Sequence, residues 1–427
     1  MPDPRPAAAA VLVLALGAMA SPVSPASPAG DPPPVAAAPA VRVYALDGRT
    51  LTGKEFTLRG ADLVVASDAG EAMLPLAEVL EASVDIAGAE AAGGSAAGTV
   101  EVEFADRDFV RGVLVRGAGE DGFVVRSEAL GEMSVPLHRV AAVRFAAAFA
   151  KADDPPPLVP GEGTDRVFFA GGDRLDGTLR SVDARTIRIR TAAGADRDIP
   201  VEGVLGFALA PLPAKPEQGL CVRVLLRDRC RVSASVVAGS SRTGIELRGM
   251  AGNADRTVAA AQVAGLTVRG GSGTPLADLE PASVEVRPYW GDDAPALPTA
   301  PRFDRAFTLD PGPPPALRLG GRTYARGVSV YSGTTLAYDL AGMGLRRFVA
   351  AVGVDDAGPK GAVEFEVLVD GKSAWRSGEV RALAPGAEPL AVPPVDLTGA
   401  SRLELRVHAG ADEVQDYADW VRAALLK

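Results

Sequence analysis

The feature that most constrains this chain is a fourfold recurrence between residues 41 and 270, with a period of about 60 residues. VRVYALDGRTLTG (41–53) aligns without gaps to a segment ending VRG at Gly112, to one ending LDG at Gly177, and to VRVLLRDRCRVSA (222–234). The turn pairs are Asp47-Gly48, Asp106-Arg107, Gly171-Gly172 and Asp228-Arg229, flanked by alternating apolar and polar residues. That alternation is the mark of half-buried strands, and Asp-Gly or Gly-Gly supplies the positive φ of a short hairpin turn. Each repeat closes on a second shared pattern: LPLAEV (74–79), VPLHRV (135–140), IPVEGV (199–204) and VAAAQV (258–263). Proline lacks an N–H, so it ends a strand ladder and presets φ for one helical turn before a last short strand.

A hairpin, two further strands, a tight turn and a final strand predict an SH3-like or Sm-like barrel. The repeats run over 41–87, 99–147, 165–210 and 220–270, separated by loops at 87–98, 151–164, 211–219 and 270–275. Units this small bury modest cores, which leaves room for neighbours to pack on one another. They carry no recognisable chemistry and are expected to act as spacers or assembly modules. His138 falls in the helical turn of the second repeat and reads as a surface residue.

Residues 7–20, AAAAVLVLALGAMA, form an apolar run of 14 ending in a small-x-small pattern. That length is short for a bilayer span and suits a signal peptide cleaved after Ala20. The Pro/Ala/Ser tract at 21–40 then reads as a disordered linker. A secreted or periplasmic protein is expected, with no transmembrane segment in the mature chain. Export favours disulfides, but the two cysteines are badly placed for one. With the turn at Asp228-Arg229, Cys230 lies opposite Arg227, six residues from Cys221 or roughly 20 Å along a strand. A disulfide needs Cα atoms within about 7 Å. Two free thiols are expected, with an intermolecular bridge as the alternative.

Composition narrows the function. Lys+Arg total 44 and Asp+Glu 54, a net charge of −10 that disfavours nucleic acid. Two His and two Cys leave most metal and nucleophile constellations short of ligands. No G-x-S-x-G, H-E-x-x-H or P-loop motif occurs. A glycosidase needs two carboxylates facing each other across a cleft, and no motif places such a pair. A non-catalytic protein without a cofactor is expected.

From Pro275 the texture changes, and all three Trp (Trp290, Trp375, Trp420) lie beyond it. In 362–369, Val363, Phe365, Val367 and Val369 alternate with Glu364 and Glu366. Asp370-Gly371 then marks a hairpin turn. Counting outward from it pairs Glu366 with Trp375, which puts Trp375 on the polar face. There it is either a stacking platform for a sugar ring or a ring covered by a loop.

PLADLEPASVEVRPYWG (275–291), LRLGGRTYARGVSVYSGTTLAYDL (317–340), RRFVAAVGVDD (346–356), VEFEVLVDGK (363–372) and DYADW (416–420) occur in this order. Together they resemble the NPCBM family, the carbohydrate-binding module associated with glycoside hydrolase family 98. The resemblance implies a galactose-binding-like β-sandwich (jelly roll) over 275–427, and glycan binding. The fold class expected for the whole chain is thus all-β, four SH3-like barrels followed by that sandwich. Two positions depart from the family pattern. Tyr331 follows the G-x-x-V of the second motif where the family tends to have His, and Tyr417 stands in the last motif where it often has His. The candidate ligand-binding residues are Trp375, Tyr331, Asp355, Asp356, Tyr417 and Trp290. Asp355-Asp356 could accept sugar hydroxyls, contribute to a Ca²⁺ site, or serve a turn; two adjacent carboxylates fall far short of the six to eight oxygens Ca²⁺ takes. Asp419-Trp420 reads as structural and His408 as surface. The partner expected is a glycan or cell-surface polysaccharide, with envelope proteins as the alternative.

Overall fold

The computed structural model describes residues 40–85, 98–152, 156–211, 219–250, 253–287, 300–309, 315–411 and 414–427. The expected signal peptide, and all but the last residue of the expected linker, lie outside these. Among the described residues no helix is long and apolar enough to cross a membrane. Among these residues the fold is nearly all strand, as expected, with one four-residue helix (Ala146–Phe149) and isolated 3-10 turns.

The four repeats share one hairpin geometry. In each, the amide of the third turn residue donates to the strand end three residues back: Gly48 to Ala45, Arg107 to Phe104, Gly172 to Phe169 and Arg229 to Leu226. These four residues all have φ between 67° and 88°. The turn is therefore a three-residue loop closed by a left-handed residue, one longer than the expected two-residue turn. The Asp before the left-handed residue caps it, since Arg49 N, Asp108 N and Cys230 N donate to Asp47, Asp106 and Asp228. The extra residue moves Cys230 opposite Leu226 rather than Arg227. Cys221 and Cys230 are both buried and unbridged.

Beyond the hairpin, the second strand bends to pair with the third, and the last strand returns to the first. In repeat 2, Phe109–Gly117 pairs with Thr99–Phe104 and then with Gly122–Ser127, while Val140–Phe145 closes on Thr99–Phe104. The expected prolines precede 3-10 turns at Leu76–Glu78 and Leu137–Arg139.

The repeats are not beads on linkers. Their edge strands hydrogen-bond to one another in the spatial order 3-2-4-1 in one continuous 16-stranded sheet, and the remaining strands of repeats 1 and 4 pair through Glu55–Arg59 and Val236–Ser240 in a second sheet of six. Last strand meets last strand twice. Val79–Asp85 of repeat 1 pairs with Val263–Arg269 of repeat 4, and Val140–Phe145 of repeat 2 with Val204–Ala208 of repeat 3. Both contacts have the same register: Ala82 faces Leu266 and Val143 faces Phe207, which are equivalent positions of the repeat. One buried apolar cluster runs through all four units, including Phe56, Phe123, Ile187 and Ile245. This shared core is how units of about 50 residues escape the poor surface-to-volume ratio of a lone small barrel.

The C-terminal region is a two-layer sandwich. One sheet is ordered Arg302–Phe303, Gly327–Tyr331, Tyr417–Leu426, Arg347–Val354, Leu390–Asp396; the other is Ser283–Val286, Thr334–Asp339, Arg402–Ala409, Ala362–Val369, Lys372–Arg381. Their inner faces meet in a second core around Trp420, whose ring stands edge-on to Phe365 at 5.1 Å.

The sandwich is joined directly to the repeats. Gly273–Pro275, three residues after repeat 4, adds to the strand Tyr417–Leu426. Leu46 and Leu80 of repeat 1 bury against Ala424 and Leu426. A buried ionic network fills the rest of the junction. Arg223 pairs with Asp108 (2.9 Å), and Asp304 gathers Arg326 (3.0 Å), Arg231 (3.5 Å) and Arg223 (3.7 Å). Asp278 joins Arg326 to Arg269, and these flanking arginines outweigh burial to hold its carboxyl down at about 2. Repeats and sandwich form one compact body.

Candidate functional site

The residues singled out from the sequence separate into two groups. Tyr331, Tyr417, Asp355 and Asp356 gather at one end of the sandwich; Trp375 lies toward the other end of the strand Ala362–Val369. Trp290 lies outside the described residues.

At the first end, Tyr331 and Tyr417 are direct partners in the ladder between Gly327–Tyr331 and Tyr417–Leu426. Their rings and that of Phe307 form a triangle with centroids 5.6, 5.9 and 6.1 Å apart. All three are buried, so the tyrosine faces that the sequence offered for stacking are turned onto each other. Asp355 and Asp356 organise the neighbouring loop. Asp355 accepts from the amides of Arg318 and Ala357, and Asp356 from those of Gly320 and Gly321. Backbone amides occupy these carboxylates as in a turn cap, and among the described residues no cluster of three potential metal ligands occurs.

Behind Asp355 lies Asp419, fully buried, which accepts a hydrogen bond from the Ser329 hydroxyl. Burial raises both carboxyls, and in Asp419 the nearby charge of Asp355 adds to it. Burial and the Asp355 charge thus favour the neutral form of Asp419, while two N–H donors favour the charged form of Asp355. A raised folded-state pKa means that this stabilisation is fully present below the unfolded carboxylate value of about 4. It is lost as pH rises through the folded values. Asp419→Asn, which keeps a donor, should therefore flatten the loss of stability toward alkaline pH in urea unfolding series. An unchanged slope would assign the titration to other groups.

Trp375 is placed differently from the count based on the turn. The ladder between Ala362–Val369 and Lys372–Arg381 shifts register between Val367 and Leu368, so Trp375 faces Val367 and Arg376 faces Glu366. A β-bulge thus corrects the expectation of a Trp on the Glu364/Glu366 face. The ring is half-buried and packs against the edge of the sandwich core. The polar face belongs instead to an ionic lattice. Glu366 binds Arg376 at 3.0 Å and His408 at 2.9 Å, and although burial opposes it, these partners hold its carboxyl down at about 2. His408 is therefore a half-buried partner of Glu366 rather than a free surface residue.

Trp375 forms one wall of an open cleft of about 490 Å³ between the edge strands of the two sheets. Pro393, Pro394 and Val395 form the facing wall; Lys372, Ser373, Asp370 and Asp396 supply polar groups. Sequence reasoning missed the prolines, although two in succession within an apolar run signal an edge strand. Asp370 accepts from Ser401 Oγ, Ser401 N and Arg402 N, and Asp396 from Thr398 N. These hydrogen bonds hold both carboxyls below their ordinary range. The cleft thus offers an apolar ring platform, a cationic donor and two ionised acceptors.

Residues 290–426 match the NPCBM/NEW2 domain model. A Renibacterium salmoninarum protein named as a candidate endo-alpha-N-acetylgalactosaminidase is 34% identical over 117 residues, which are 27% of this chain and 7% of that protein. The chain therefore spans a small fraction of that relative's length. Among solved structures, the CBM51 of a Clostridium perfringens GH95 in complex with methyl-galactose is 21% identical, covering 36% of this chain and 99% of that one, with a TM-score of 0.28. The tandem CBM51 modules of a Streptococcus pneumoniae family 98 glycoside hydrolase are 11% identical, covering 90% and 88%, with a TM-score of 0.30.

Proposed function

We propose that this chain is an exported, non-catalytic carbohydrate-binding protein whose sandwich holds a glycan in the Trp375 cleft. The observation that carries the reading is the NPCBM/NEW2 match over a region whose open cleft presents a half-exposed indole. An apolar ring wall suits the C–H face of a sugar, and ionised carboxylates beside it suit its hydroxyls. Export rests on the apolar segment 7–20 with its small-x-small end.

The carboxylates favour binding over hydrolysis. A glycosidase needs one carboxyl kept protonated to act as acid, whereas Asp370 and Asp396 are both held low by their amide and hydroxyl partners. The raised pair, Asp355 and Asp419, is buried away from solvent.

The test uses the whole mature chain, because the sandwich is welded to the repeats. On a glycan array, wild type should bind one class of glycan, and Trp375→Ala should lose at least about tenfold in affinity, or about 1.4 kcal/mol. An unchanged melting temperature would show that the variant still folds. Retained binding in Trp375→Ala would move the site away from the cleft; no binding by wild type would favour an envelope-protein partner.

A further inference from the structure

Repeats 2 and 4 meet through a contact that is two-fold in character. Phe109 pairs with Arg231, and both stand two residues after the left-handed turn residue of their repeat. The residue just after the turn in each repeat reaches across to the second strand of the other. Asp108 accepts from Ser233 N (2.7 Å) and Ser233 Oγ (2.7 Å), while Cys230 Sγ accepts from Arg111 N (3.2 Å). Arg223, on the first strand of repeat 4, completes the set by binding Asp108 of repeat 2 and Asp304 of the sandwich.

Repeats 1 and 3 lie at the two ends of the continuous sheet, and among the described residues neither pairs this strand with another repeat. Their residues at the same positions are complementary. Asp173 of repeat 3 is the counterpart of Asp108, and it is exposed. In repeat 1, Arg42 is the counterpart of Arg223 and Thr52, also exposed, that of Ser233. Arg42 already binds Glu388 of the sandwich at 2.7 Å, as Arg223 binds Asp304. In the reverse direction, Arg49 of repeat 1 is the counterpart of Cys230, and Asp176 of repeat 3 that of Arg111. Both exchanges bring opposite charges together.

We propose that a second copy of this chain docks its repeat 3 on repeat 1 of the first, repeating the contact between repeats 2 and 4, with Asp173 received by Arg42 and Thr52. The two faces lie on different repeats, so the contact is heterologous and leaves one of each face open at the ends. Such contacts build open linear assemblies unless the rotation closes a ring. A glycan-binding protein assembled this way would present a row of clefts, and multivalent attachment would follow from geometry alone. The assembly itself does not depend on the glycan reading.

The test is sedimentation velocity of the full mature chain from micromolar to submillimolar concentration. The weight-average mass should rise with concentration past that of a dimer. Asp173→Arg, which blocks the repeat 3 face, and Thr52→Arg, which blocks the repeat 1 face, should each abolish the rise. Both residues are exposed, and unchanged circular dichroism would confirm folding. An equal mixture of the two variants retains one good face on each partner, so its mass should rise and stop at the dimer. A wild type that stays monomeric, association that survives Asp173→Arg, or a mixture that stays monomeric would each overturn the proposal.

Discussion

Asp304→Asn should cost this protein about 3–5 kcal/mol, the range expected when one partner of a buried ion pair is removed. Asp304 is almost fully buried at the junction, and its carboxylate is shared by Arg223, Arg231 and Arg326. Asparagine tolerates the left-handed backbone at this position (φ 56°) and can still accept from Gly327 N, so the substitution removes charge rather than geometry. Burial already pulls Arg231 down to about 10, against the pull of Asp304. Without that carboxylate its charge would be harder still to hold. Urea unfolding at neutral pH should show the loss, and because the network spans repeats 2 and 4 and the sandwich, one cooperative transition should shift as a whole. A loss confined to a separate sandwich transition would mean that the two regions unfold independently. Asp198→Asn, at an exposed pair with Arg188 on repeat 3, is the control and should change nothing measurable.

Gly265→Ala is the second substitution with a large expected effect, although it adds only a methyl group. Gly265 stands where the last strand of repeat 4 crosses that of repeat 1, paired with Ser83. A Cβ there would lie 2.3 Å from the carbonyl oxygen of Ala82. Gly206 has the same place in the contact between repeats 3 and 2, where a Cβ would lie 2.3 Å from Val143 O. Each last-strand contact thus carries one glycine at the same point of the repeat, on one side only. Backbone cannot yield as a flexible side chain can, so overpacking of about 1–3 kcal/mol or more is expected. The damage should be local: hydrogen exchange should rise along Val79–Asp85 and Val263–Arg269 before it rises elsewhere. Protection that stays uniform would show that the strands absorb the methyl group.

How much of this was legible beforehand depends on the range of the interaction. The hairpins, the closing proline turns, the all-β class and the sandwich are written in local alternation, turn chemistry and motif order. Sequence counting failed by single residues at the four repeat hairpins and beyond one turn of the sandwich. The repeat hairpins carry a third loop residue, visible only in hydrogen bonding, and a bulge beyond Asp370-Gly371 turned Trp375 from the polar face to the core edge. Because side chains alternate along a strand, a slip of one residue reverses the face. The candidate site was half legible. Trp375 was named, but the Pro393-Pro394 wall belongs to a strand of the other sheet, and the Tyr331–Tyr417 pair spends its rings on Phe307.

The amino-acid sequence on its own determined what recurs within a few residues: the repeat, its turns, its strands and the order of the sandwich motifs. Tertiary structure alone decided that four repeats share one continuous sheet along their length and that the sandwich is fixed to them. Those outcomes depend on residues such as Asp108, Arg223 and Asp304, which are ordinary surface charges by composition. They acquire meaning only where folding takes them out of water together, because an ion there must find its partner or pay the full cost of lost hydration.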